Sequence, residues 1–170
     1  MADPSYIVDG VLTDPEAWVA LNSTTLTTDT TSIEFKSGFA DGDDPAGSGS
    51  GGVQNWDQYM DLVVIAYVRA AVAHNTRAAL LKVNGSSTNA DYDTQQLYGN
   101  GSSVTAAVVS SNSWFPVLIG DNSTANAFSV AITTFFDVNS GKFKSWLVQS
   151  ASDYSGAGDV CLMAGTFLKQ

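Results

Sequence analysis

Tyr59-Met60-Asp61-Leu62-Val63-Val64-Ile65-Ala66-Tyr67-Val68-Arg69-Ala70-Ala71-Val72 is the stretch on which the fold class turns. At a period of two, Met60, Leu62, Val64, Ala66 and Val68 fall on one side, and Asp61, Val63, Ile65, Tyr67 and Arg69 on the other. At a period of 3.6 a helix can be drawn through Ala70, Ala71 and Ala73. The β-branched centre Val63-Val64-Ile65, with Tyr59 and Tyr67 near it, decides for a strand over 59–72. Such side chains lose rotamer freedom in a helix and pack well on a pleated sheet.

On the N-terminal side, Asp41-Gly42-Asp43-Asp44-Pro45 and the Gly/Ser run to Gly52 hold no apolar anchor larger than alanine. They read as an exposed flexible loop, 41–52. Before it, Thr31-Ser32-Ile33-Glu34-Phe35-Lys36 alternates cleanly, and 16–22 reads as a first strand with Trp18, Ala20 and Leu21 inward. Residues 1–15, with Pro4, Pro15 and three aspartates, read as an irregular arm. Tyr6, Ile7 and Val8 make that arm apolar enough to dock on a partner.

On the C-terminal side, strands are expected at 78–83, 95–98, 103–110, 114–119, 127–138, 142–150 and 160–168. Asn84-Gly85 and Asn139-Ser140-Gly141 are turn signals, and 152–159 reads as a Gly/Ser turn. Pro116 puts 114–119 at a sheet edge or strand end. Phe128, Val130 and Ile132 share one face. Further on, Lys144, Trp146 and Val148 oppose Phe143, Ser145, Leu147 and Gln149. With turns every 8–15 residues, the pattern predicts an all-β chain: an antiparallel β-sandwich or jelly roll of about eight strands over 16–170, with the arm 1–15 before it.

The chain has 170 residues, enough for one domain, and 44% of them are hydrophobic. Its 17 acidic and 7 basic residues leave a net charge of −10. That balance argues against a nucleic-acid partner and against a basic membrane-surface helix. The apolar run 62–68 is far short of the ~20 residues of a membrane helix, and the first residues lack the pattern of a signal peptide. The expectation is a protein made in a cytosol and not inserted in a membrane.

One histidine, His74, and one cysteine, Cys161, leave no Cys/His zinc cage and no internal disulfide. Cys161 lies in an apolar run and reads as a small buried hydrophobe. The aspartates Asp41, Asp43, Asp44, Asp91, Asp93, Asp153 and Asp159 cluster in turn-like sequence, where carboxylates are usually solvated. A hard cation wants several oxygens from one flexible loop, so Asp41, Asp43 and Asp44 are the candidates for a metal, although they do not fit the EF-hand spacing. No glycine pattern for a nucleotide is present, and no cofactor is expected. Four tryptophans are available for a core or an interface. Trp56 and Tyr59, next to the glycine loop, are candidate contact residues.

The order of segments resembles jelly-roll proteins on the virions of tailed bacteriophages, especially phages of marine bacteria. The matching features are Trp18 to Leu21, Leu26, Thr31-Ser32-Ile33-Glu34-Phe35, the strand from Tyr59 to Arg69, Leu81-Lys82-Val83-Asn84-Gly85, Asp91-Tyr92 and Leu97-Tyr98-Gly99. Asp137-Val138-Asn139-Ser140-Gly141-Lys142-Phe143-Lys144-Ser145 is similar to the family's penultimate hairpin. The resemblance implies a virion setting, assembly in the host cytoplasm and no catalytic residue. It implies a capsid decoration (cement) protein that binds the major capsid protein on the outer head and associates with itself, a homotrimer being expected. The alternative is a receptor-binding or carbohydrate-binding tail-fibre tip that binds host surface glycans. Such proteins often continue into another short apolar strand, whereas here the sequence stops at Phe167-Leu168-Lys169-Gln170. Residues 160–168 are therefore expected to form an open sheet edge, with Phe167 and Leu168 covered by a neighbouring subunit or the capsid.

Overall fold

In the computed structural model the deciding stretch is a strand, β3, Leu62–Val68. It is shorter than its apolar pattern at both ends. At the start, Met60 and Asp61 bind another segment instead: the Val138 N–H donates to the Met60 carbonyl (2.8 Å) and the Asp137 N–H to Asp61 Oδ1 (2.8 Å). At the end, the Ala70 N–H donates to the Ile119 carbonyl (2.8 Å), which turns the chain away from the sheet.

The structure describes residues 7–8, 11–12, 20–37, 56, 59–110, 114–154 and 157–169. The chain divides into two units, Met1–Tyr59 and Met60–Gln170. In the first, β1 (Ile7–Val8) and β2 (Val11–Leu12) pair antiparallel, Ile7 with Leu12 and Val8 with Val11. The arm expected to be irregular thus carries a short ladder. Residues 20–22 and 31–36 are not strands. At the second site the Thr30 hydroxyl donates to the Ser32 carbonyl (2.9 Å), a local bond that competes with sheet pairing.

Among its described residues the second unit has strands and one 3-10 turn, Asn89–Asp91. Its strands are β3, β4 (Thr76–Leu80), β5 (Tyr92–Gly99), β6 (Val104–Ser110), β7 (Trp114–Ile119), β8 (Ser129–Phe136), β9 (Lys144–Tyr154) and β10 (Ala157–Phe167). Six of them form one antiparallel sheet in the order β3-β8-β9-β10-β5-β6, and β4 pairs with β7. β7 lies beside β8, β9 and β10 without pairing with them. It is a paired edge strand, as Pro116 predicts. Phe115 and Pro116 together face the single residue Ala79, so the residue that cannot donate sits in a bulge.

The expected edge at 160–168 is overturned. β10 is an interior strand, paired along its length with β9 on one side and β5 on the other. The turn expected at 152–159 shrinks accordingly, because β9 runs to Tyr154 and β10 starts at Ala157. Asn84 and Gly85 do form a tight turn with positive φ (51° and 70°), but β4 and β5 on either side of it pair with other strands.

The core lies on the sheet face that carries Tyr92, Trp146, Val148, Cys161, Met163 and Phe167, with Leu81, Val83, Tyr98 and Phe135 against it. Trp146 meets Tyr92 edge-on at 6.2 Å and Phe135 at 6.3 Å, and Tyr92 meets Phe167 at 5.1 Å. The polar tip of Tyr92 organises the 83–86 turn: the Val83 N–H donates to its hydroxyl (3.0 Å), which donates to the Ser86 carbonyl (2.8 Å).

Arg69 closes the other end. Its guanidinium donates to four carbonyls of one loop, those of Thr124 (2.7 Å), Ala127 (3.1 Å), Asp121 (3.0 Å) and Ser123 (3.2 Å). Only a fixed fork of several N–H donors can hold four acceptors at once. Arg69→Ala is expected to destabilise the protein by about 2–3 kcal/mol, the scale of losing charge-assisted bonds to partly buried carbonyls. Arg69→Lys should recover less than half of that. Urea unfolding of the three proteins measures both.

The chain end is tied in by Asp91. The Leu168 N–H donates to the Asp91 carbonyl (2.8 Å), Lys169 Nζ lies 2.8 Å from Asp91 Oδ2, and the Ser86 hydroxyl donates to the same oxygen (2.5 Å). The Lys169 contact first and the Ser86 bond second hold the Asp91 carboxyl below its ordinary value of 3.8. A carboxyl whose pKa is lower folded than unfolded stabilises the fold above the unfolded value and loses that effect as pH falls through the folded one. Acidification below about pH 4 should therefore loosen this tie. Lys169→Met should move the Asp91 titration upward, read by carboxyl NMR, and shift the onset of acid unfolding to higher pH.

Candidate interaction surface

Tyr6, Asp41, Asp43 and Asp44 lie outside the described residues, and Ile7 and Val8 are placed by their backbone in β1. Trp56 is half-buried and Tyr59 is buried; the Trp56 N–H donates to Ser37 Oγ (2.9 Å) and the Tyr59 N–H to the Trp56 carbonyl (3.0 Å). Phe167 is a correction: it is 2% exposed and part of the core, because odd-numbered positions of the interior strand β10 point inward. Leu168 is half-buried beside Asp91. Among the described residues no group of three or more His, Cys, Asp or Glu could hold a metal ion, and no helix is long and apolar enough to cross a membrane.

Two aspartates expected to be solvated are buried. Asp91 is tied to Lys169 as described, and Asp159 accepts the Tyr98 hydroxyl proton at 2.5 Å. Asp159 belongs to a polar end of the inner sheet face, with buried Ser129, Ser150 and Ser152. The Ser129 hydroxyl oxygen accepts the Ile119 N–H (2.7 Å), so this end is a structural join between the sheet and β7. Cys161 sits between the polar end and the core; burial, and then the charge of Asp159, push its thiol pKa up, which disfavours the reactive thiolate.

The opposite face of the sheet is the unusual one. Strand register aligns its side chains in rows that cross all six strands. One row reads Tyr67, Val130, Ala151, Val160, Gly99, Val104. The next reads Ile65, Ile132, Gln149, Leu162, Leu97, Ala106, and the third Val63, Thr134, Leu147, Ala164, Gln95, Val108. None of these residues is charged, and only Gln149, Thr134 and Gln95 are polar. Several are widely exposed: Tyr67 69%, Ile65 69%, Val104 73%, Val108 69% and Val160 67%. Phe128 lies flat on Tyr67, ring centres 4.8 Å apart and planes 20° from parallel, which extends the face beyond the first row.

This arrangement inverts the ordinary one for β8. Phe128, Val130 and Ile132 do share a face, but it is the outer one, while Ser129, Ala131 and Thr133 point inward. The inner side of β8 stays small beside β7, where Ser129 accepts the Ile119 N–H, and turns large at Phe135, which meets Trp146. A surface as apolar as the outer face is suited to binding. No protein-family model, no curated protein and no solved structure matches this chain.

Proposed function

We propose that the protein is a structural component of a tailed-bacteriophage virion, a capsid decoration protein that binds the major capsid protein on the outer head surface and stabilises the particle. The observation that carries this reading is the uncharged, exposed outer face of the six-stranded sheet on a chain of net charge −10. Contiguous apolar faces of this size on soluble proteins mark attachment surfaces. The acidic remainder keeps a densely displayed protein soluble and discourages random association. The β-rich fold and the order of segments described above support the same setting, with assembly in the bacterial host cytoplasm.

Co-sedimentation tests it directly. The purified protein should pellet saturably with heads of the phage that encodes it and raise the temperature at which those heads release DNA. Protein that stays in the supernatant and leaves the heads unchanged would rule the decoration role out.

One observation favours a second reading, a carbohydrate-binding tail-fibre tip. The Tyr67–Phe128 pair offers a flat, exposed aromatic platform of the kind on which sugar rings stack. Under that reading, host polysaccharide changes the intrinsic fluorescence of the protein, and Tyr67→Ala abolishes the change.

A further inference from the structure

We infer that the outer face of the six-stranded sheet is the surface through which two copies of this chain pair face to face. The inference concerns the protein free in solution: the face closed by a second copy is the one that meets the capsid protein under the reading above, so the pair must open for attachment.

Size is the first argument. Six strands at ~4.8 Å spacing, and three rows that each take up two residues at ~3.3 Å, make a face of about 29 by 20 Å, or ~600 Å². Two copies would cover ~1,200 Å² together, the area at which specific, stable interfaces begin. On a monomer the same area stands at the upper end of what is usually left exposed, ~300–600 Å².

Charge is the second. The face holds no charged side chain; Asp61, Asp93 and Asp153 share its side and stand at its margins, as does Arg69, whose guanidinium is taken up by the 121–127 loop. A basic partner would be drawn to those margins and would gain nothing over the centre. Two copies can close the centre and leave their carboxylates solvated at the rim.

Self-complementarity is the third. With the order β3-β8-β9-β10-β5-β6, the middle of the sheet falls between β9 and β10, and the middle row there holds Gln149 opposite Leu162. A twofold axis lying in the interface along that row sets Gln149 against Gln149 of the second copy. An amide carries both donors and an acceptor, so the two side chains can bond each other, while Leu162 and Ile132 pack beside them. Sheets pack in this way about 10 Å apart within sandwiches. A trimer was expected from capsid symmetry, whereas one flat, self-complementary face closes as a twofold pair.

The full chain should have twice the 17.8 kDa mass in sedimentation equilibrium at about 50 µM. Pairing should strengthen with salt, since screening relieves the repulsion between two chains of net charge −10. Leu162→Asp and, separately, Ile132→Lys should weaken pairing ~100-fold or more, because each buries an unpaired charge at the centre. Both positions are exposed in the single chain, so far-ultraviolet circular dichroism should be unchanged. Ser87→Asp, on an exposed turn, should leave the mass as it was. A wild-type protein with the mass of one chain or of three would overturn the inference, as would a Leu162→Asp variant that folds and keeps the wild-type mass.

Discussion

Trp146→Ala is expected to destabilise the protein by about 3–5 kcal/mol, the range for removing a large aromatic from a close-packed core. Trp146 is 2% exposed and touches Tyr92 and Phe135. Its indole also lies directly over Gly165, its partner across the β9–β10 ladder. A Cβ on Gly165 would come within 2.3 Å of two atoms of the ring. Gly165→Ala should therefore cost about 1–3 kcal/mol by overpacking. The two effects must be coupled: in the Trp146→Ala background the new methyl enters space the indole has vacated. A double-mutant cycle should show Gly165→Ala changing from destabilising to neutral or favourable, with a coupling of about 1–3 kcal/mol. Additive losses would mean that the ring does not rest on Gly165.

Gly120→Ala is expected to cost about 3 kcal/mol or more, the upper end for forced backbone shifts. The new Cβ would lie 2.0 Å from the His74 carbonyl oxygen and 3.1 Å from that of Val72. That neighbour is backbone and cannot swing aside as a side chain can. It is held there by the Gly120 N–H donating to the Asn75 carbonyl (2.9 Å) and the Asp121 N–H donating to the Val72 carbonyl (2.7 Å). Gly85 supplies the contrast. It has φ +70° with nothing within 4 Å of a built Cβ, so Gly85→Ala meets only conformational strain, about 1 kcal/mol. Thermal unfolding of the two alanine variants side by side separates close approach from strain.

Most of the strands were legible. The alternation of Lys144, Trp146 and Val148 against Leu147 and Gln149, and the β-branched centre of β3, state both the element and its faces. Periodicity says which residues share a face and not which face is covered. Phe128, Val130 and Ile132 share a face by periodicity, yet that face is the outer one, and the core is filled from β9, β5 and β10 with Phe135 of β8 against it. In β10, Val160 and Leu162 alternate with Cys161 and Met163, so the strand is apolar on both sides, one facing the core and the other the outer face. Its place inside the sheet depends on pairing with β5 and β9, which periodicity does not state. Between β1 and β2 the sequence Asp9-Gly10 is a hairpin signal hidden among prolines and aspartates. The buried roles of Asp91 and Asp159 were not legible, because their partners Lys169 and Tyr98 are distant in sequence and come close only through pairing. The outer face was hidden for the same reason: each strand contributes two or three ordinary residues, and only the register of six strands makes them one surface.

The proposed attachment to a phage head is tested most directly by electron cryomicroscopy of virions produced by the source of this chain. The account predicts that the six-stranded sheet and its β4–β7 pair fit density on the outside of the head, lying on the major capsid protein. Density for the chain at the tail tip, or none on the particle, would contradict it.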